Sequence, residues 1–140
     1  MRVQQLGDLG APPAVLRSLA LAARETGRPA PAALTGCWFD SRAIIAPSLA
    51  ARAVLPRQAF SGNTSHVNTA PPGAVGGGWI GYRAYPDLTA DARAPRLPAS
   101  AGGWSDAVLR LDNDECWWYE SLLDEECPAW IVQALSLIHI

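Results

Sequence analysis

Apolar residues recur at helical spacing in one early segment, where Val15, Leu16, Leu19, Ala20 and Ala23 fall on one stripe. Pro12 and Pro13 open that segment and Gly27 followed by Pro29 closes it, which predicts a helix packed on a core through that stripe. Two short apolar runs follow, Ala33 to Phe39 and Ala43 to Ala46, separated by Asp40-Ser41-Arg42 and stopped by Pro47. They predict a pair of strands. Residues 56 to 74 carry Pro, Gly, Ser, Asn and Thr without apolar period and read as a long surface loop. Val75 to Tyr85 holds Trp79, Ile80, Tyr82 and Tyr85 among glycines, the pattern of a strand that its neighbours approach closely. A loop bearing Pro and Arg is expected from there to about Gly103. Ala107 to Leu111 and Cys116 to Glu120 are β-prone runs joined by Asp112-Asn113-Asp114-Glu115, whose Asx side chains favour a tight reversal, so a hairpin is predicted.

Strands outnumber helices and neighbour one another along the chain. The expected class is therefore α+β, with mainly antiparallel sheets and one or two helices, rather than a doubly wound parallel sheet. In the hairpin, adjacent Trp117 and Trp118 must point to opposite faces, so one side chain faces the core and the other a second layer or a partner domain. The remaining tryptophans, Trp38, Trp79, Trp104 and Trp130, are read chiefly as core, with a ligand pocket as the alternative.

Composition narrows the function classes. The chain has 140 residues, enough for one domain that buries roughly two-thirds of its unfolded surface. Its apolar fraction of 49% against 17% charged residues excludes a solvated, disordered polymer. The eleven basic residues are all Arg and are scattered, with a net charge of −2, so no face is concentrated for tracking phosphates and nucleic acid is not an expected partner. The N-terminus lacks the basic and apolar regions of a signal peptide, and no apolar run reaches the ~20 residues of a membrane span. A cytoplasmic chain with no membrane partner is expected. Cys37, Cys116 and Cys127 are odd in number and not spaced as metal-binding pairs, which predicts reduced, structural thiols. For such a chain the sequon at Asn63-Thr64-Ser65 carries no meaning.

Candidate chemistry is sparse. Gly76-Gly77-Gly78-Trp79-Ile80-Gly81 satisfies the dinucleotide-binding glycine pattern in form, but a Pro/Gly loop precedes it and Pro86 would break a helix starting near Gly81. His66 stands alone in a polar loop, and His139 lies in the final residues, so no pair of histidines can cooperate in binding a metal. The carboxylates Asp112, Asp114, Glu115, Asp124, Glu125 and Glu126 lack the alternation of a calcium loop and read as a solvated turn and a solvated segment. No catalytic or metal-binding residue is expected in this chain.

Gly77-Gly78-Trp79-Ile80-Gly81-Tyr82-Arg83-Ala84-Tyr85 resembles the Gly-Gly-aromatic-aliphatic-Gly-Tyr-x-x-Tyr segment of the anthranilate synthase and aminodeoxychorismate synthase large subunits. Ala33-Leu34-Thr35-Gly36, followed by Asp40-Ser41-Arg42-Ala43-Ile44-Ile45-Ala46-Pro47, looks like the first strand pair of that family, and the stretch from Trp104 to Tyr119 fits its hairpin. The resemblance covers residues 1 to about 134. It implies an N-terminal domain of that extent, part of a two-sheet sandwich completed by a larger C-terminal region that is missing here. It also implies amination of chorismate by ammonia from a glutaminase subunit or domain, with Mg²⁺ as the cofactor of the full-length parent and none in this fragment.

The family's catalytic residues, including a Pro-Ile-Lys-Gly-Thr motif, lie in its C-terminal region. A chain with no Lys at all cannot supply that amine. In the anthranilate branch a Leu-Leu-Glu-Ser segment contributes to a tryptophan pocket. At the matching positions Thr35 and Gly36 lack the acid and the serine hydroxyl, which favours the 4-aminobenzoate, folate-directed branch over the tryptophan branch. If an aromatic amino acid binds, the resemblance places Leu34, Thr35, Gly36, Tyr82 and Tyr85 around it. A non-catalytic ligand-binding or regulatory domain on the same scaffold is the other class of reading. Leu135-Ser136-Leu137-Ile138-His139-Ile140 matches the translation of a transposon end used in sequencing-library preparation, so residues 135–140 are expected to be a non-native tail.

Overall fold

Two residue periods organise the chain, 3.6 in the helices and 2 in the strands. A computed structural model describes residues 1–61, 71–85 and 96–138. The sequon at 63–65, His66, Pro86 and His139 lie outside the described residues.

The described elements are β1 (Arg2–Gly7), α1 (Pro12–Glu25), β2 (Ala32–Trp38), β3 (Ser41–Ala46), β4 (Arg52–Ala53), a short 3₁₀ turn at Pro56–Gln58, β5 (Gly78–Arg83), β6 (Ser100–Ser105), β7 (Ala107–Leu111), β8 (Trp117–Ser121) and α2 (Ala129–Ser136). They form two antiparallel sheets, one ordered β1-β8-β7-β3-β2 and the other β4-β6-β5. The expected α+β class, mainly antiparallel sheets with one or two helices, is the class observed, here with two helices. No helix is long and apolar enough to cross a membrane among the described residues.

The helix α1 starts at the proline pair, where a missing N–H costs nothing, and buries Val15, Leu19 and Ala23, one residue per turn. It ends where Thr26 Oγ1 donates to the Ala22 carbonyl at 2.7 Å and Gly27 takes φ +68°. Its buried stripe packs with Ile131, Ala134 and Leu135 of α2 on one face of the five-stranded sheet, over Ala43, Ile45, Leu109, Leu111, Trp117 and Tyr119. The Trp117 indole is fully buried there and donates to the Gly10 carbonyl at 2.9 Å, which pins the approach to α1. The Arg28 guanidinium lies 4.8 Å from the Trp130 ring centroid and ties the end of α1 to α2.

The two predicted strand pairs form with close to the expected bounds. Phe39 and Asp40 have φ of +50° and +57°, the geometry of the two-residue turn that matches strand twist. Several elements depart from the sequence reading, which assigns neither β4 nor α2. The loop expected to reach Gly103 gives way at Ser100 to β6, whose Ser-Ala-Gly-Gly-Trp-Ser sequence has little β-propensity and is held by β5 and β4 on its two sides. β1, which the sequence reading leaves unassigned, pairs with β8. The strand expected from Val75 begins only at Gly78.

The helix α2 runs past Ala134, the expected end of the native segment, and Leu135 is 5% exposed within the core. Whatever the origin of residues 135–138, Leu135 packs there, and Ile138 lies against the same cluster. Truncation after Ala134 is therefore expected to destabilise the chain by about 1.5–3 kcal/mol, the value of burying one Leu-sized side chain. Urea denaturation measures this directly. An unchanged midpoint would show that these residues contribute nothing to the core.

Candidate functional site

The second face of the five-stranded sheet carries the side chains that alternate with the helix-facing core: Ile44 on β3, Val108 and Arg110 on β7, Trp118 and Glu120 on β8. Ile44 and Val108 are 2% and 1% exposed, so this face is covered as well. Residues Gly73 to Ile80, running into β5, stand over it and enclose a cleft of about 560 Å³ between the two sheets. Its floor is Ile44, Val108 and Leu34, its far wall Val75, Trp79 and Ile80, and its rim the Phe39-Asp40 turn.

Glycine makes the wall possible. A Cβ at Gly77 would lie 2.5 Å from the Ser105 carbonyl oxygen, and Cβ atoms at Gly81 and Gly102 would run into the Trp79 ring at 2.5 and 2.6 Å. The indole thus lies over a cross-strand glycine pair. Phe60 meets Trp79 edge-on, with ring centroids 4.6 Å apart.

A buried ion pair lies beside the cleft. Glu120 is 0% exposed and its Oε2 accepts from Arg110 Nε at 2.8 Å. Its Oε1 accepts the backbone N–H groups of Val75 at 2.6 Å and Gly76 at 3.1 Å. Arg110 Nη1 also reaches the buried Ser41 hydroxyl at 3.4 Å. The rim is held separately, by Asn113 Nδ2 donating to the Asp40 carbonyl at 3.0 Å and by the Arg42–Glu115 pair at 2.9 Å.

The cleft is apolar apart from Asp40 at its rim, and suits an aliphatic or aromatic group. Among its lining residues there is no nucleophile next to a base and no acid paired with a base. Among the described residues no three His, Cys, Asp or Glu side chains come together to hold a metal ion. The buried carboxylate does not fit Mg²⁺ either, since both oxygens of Glu120 are engaged by Arg110 and the backbone. Burial pushes the Cys127 thiol up to about 11, which keeps it protonated and unreactive at neutral pH.

Of the five residues placed by resemblance around an aromatic ligand, Leu34 lines the cleft. Thr35 is exposed on β2, its carbonyl accepting the Trp38 indole N–H at 2.9 Å. Gly36 has φ +108° where the β2–β3 register shifts, a backbone role in a bulge. Tyr82 is 38% exposed and donates its hydroxyl to the Pro98 carbonyl at 2.8 Å, while Tyr85 beyond β5 is 96% exposed. The structure thus brings Leu34 together with Ile44, Val75, Ile80 and Val108, none of which the sequence reading places at a site. The available signal was two-sided apolarity: Ala43 to Ala46 of β3 and Ala107 to Leu109 of β7 are unbroken apolar runs, as expected of segments covered on both faces.

Asp112, read from sequence as solvated, organises the hairpin turn. Its carboxylate accepts the N–H groups of Asp114 and Cys116, both at 2.9 Å, and the Trp118 indole N–H at 2.8 Å. Desolvation raises its pKa, but these three bonds and the nearby Arg110 charge outweigh it and hold the carboxyl below its ordinary value. A depressed carboxylate stabilises the fold above its unfolded pKa of about 3.9, and that stabilisation is lost as pH falls through the folded value. Asp112→Ala is expected to cost on the order of 1 kcal/mol per hydrogen bond lost at neutral pH. The gap between variant and parent, measured by denaturation across pH, should narrow below about pH 4. A gap that is the same at pH 3 and pH 7 would contradict this role.

In comparisons with protein-family models, curated proteins and solved structures, nothing matches this chain.

Proposed function

We propose that the chain is the N-terminal domain of a chorismate-aminating synthase large subunit, aminodeoxychorismate synthase component I. The observation that carries this reading is the Gly77 to Tyr85 segment. Its pattern of glycine, aromatic, aliphatic and glycine resembles the family's, and here Gly77 to Ile80 line an intersheet cleft, with Gly77 and Gly81 at positions where a Cβ would meet the backbone of the neighbouring strand. The two antiparallel sheets are compatible with the sandwich that the resemblance implies.

On this reading the parent acts in the cytoplasm, takes ammonia from a glutaminase partner, and binds chorismate and Mg²⁺ through its C-terminal region. The present residues supply scaffold. Thr35 and Gly36, in place of an acid and a serine hydroxyl, favour the 4-aminobenzoate branch over the tryptophan branch. The second reading, a non-catalytic ligand-binding domain, draws its support from the apolar cleft and from Leu34 within its lining.

The genomic reading frame beyond Ala134 separates the two. Continuation into a Lys-containing region with the Pro-Ile-Lys-Gly-Thr motif is the expected result, and a stop codon there would favour the binding domain. The purified chain, incubated with chorismate, ammonium and Mg²⁺, is expected to form no aminodeoxychorismate above the enzyme-free rate, because binding alone does not replace positioned acid-base groups and a metal site. Turnover that survives repurification would refute this. Calorimetry with tryptophan is expected to give less than micromolar affinity, that is, a binding free energy weaker than about −8 kcal/mol.

A further inference from the structure

A carboxylate as deeply buried as Glu120 is tolerated only with full compensation, and its compensation comes from two different parts of the fold. Arg110, a diagonal neighbour on the adjacent strand, engages Oε2. The N–H groups of Val75 and Gly76, in the segment that walls the cleft, engage Oε1. That segment belongs to no strand until Gly78, and its other backbone bond among the described residues is local, from Ala74 N–H to the Pro71 carbonyl. Gly76, at φ +79°, presents both amides to the carboxylate in a backbone conformation that L side chains rarely adopt.

We propose that Glu120 is a latch: its carboxylate, oriented by Arg110, holds the segment from Gly73 to Gly78 against the five-stranded sheet and so sets whether the intersheet cleft is closed on that side. The opposite rim is tied independently through Asn113 and Arg42, so release of Glu120 frees one wall only. The functional weight of the latch rests on reading the cleft as a ligand site, but the latch itself does not.

Amide hydrogen exchange on the whole chain tests it without any ligand, so its outcome is separate from the fate of the functional reading. In the parent protein the Val75 and Gly76 amides should be protected to the same degree as those of Leu109 and Tyr119, although they lie outside any strand. Exchange at the rate of an open loop would overturn the latch. Glu120→Gln keeps the shape, and in either orientation of its amide the Val75 and Gly76 N–H groups lose the charged acceptor they now have. It should speed exchange at Val75 and Gly76 about tenfold or more, the factor for losing one hydrogen bond to a charged group, with Leu109 and Tyr119 still protected. Unchanged exchange at 75–76, or equal acceleration everywhere, would refute it. Should this variant not fold, the parent's own protection at Val75 and Gly76 decides the matter.

Discussion

A buried negative charge constrains much of this fold. Moving a carboxylate out of water costs several kcal/mol unless a cation and hydrogen-bond donors replace the lost solvent. Glu120 meets that requirement with one guanidinium and two backbone N–H groups, and the two sources lie in different layers. The second layer therefore does more than cover an apolar face. It completes the solvation of a charge that the first layer cannot satisfy alone, and this fixes where the segment before β5 must run.

The helix-bearing face follows another logic. Its contacts are those of Val15, Leu19, Ile131 and Leu135 against Ile45, Leu109 and Trp117, with a single indole bond to Gly10 to set the entry of α1. Apolar packing of this kind is strong but undirected. The five-stranded sheet thus separates two environments: a core held by area on one side, and a polar clamp beside an apolar cleft on the other. Trp117 and Trp118 show the division within two residues, the first fully buried under the helices and the second donating its indole N–H to Asp112.

Much of the local structure was legible in the chain. The helix from Pro12, the β2–β3 pair and the β7–β8 hairpin carry their signals within a few residues, in proline, glycine and Asx punctuation and in apolar period, although the β2–β3 turn falls at Phe39-Asp40 rather than at Asp40-Ser41-Arg42. β6 was not legible, because Gly102 and Gly103 contribute no β-propensity and are chosen for the room they leave Trp79 and the Ala50 backbone. β1 was equally silent, with its pairing partner at the far end of the chain.

The candidate site divides in the same way. Sequence pattern by itself determined that strands would pair antiparallel and that Trp117 and Trp118 would face apart, since these follow from local period and neighbouring turns. Only the tertiary structure decided that Val75 and Ile80 would close over Ile44 and Val108, and that Glu120, at the end of a hairpin strand, would be buried rather than solvated. The physical reason is that burial of a charge depends on all its donors, and although Arg110 lies in the same hairpin, no local pattern around Glu120 records that the amides of Val75 and Gly76, 45 and 44 residues away, will meet it.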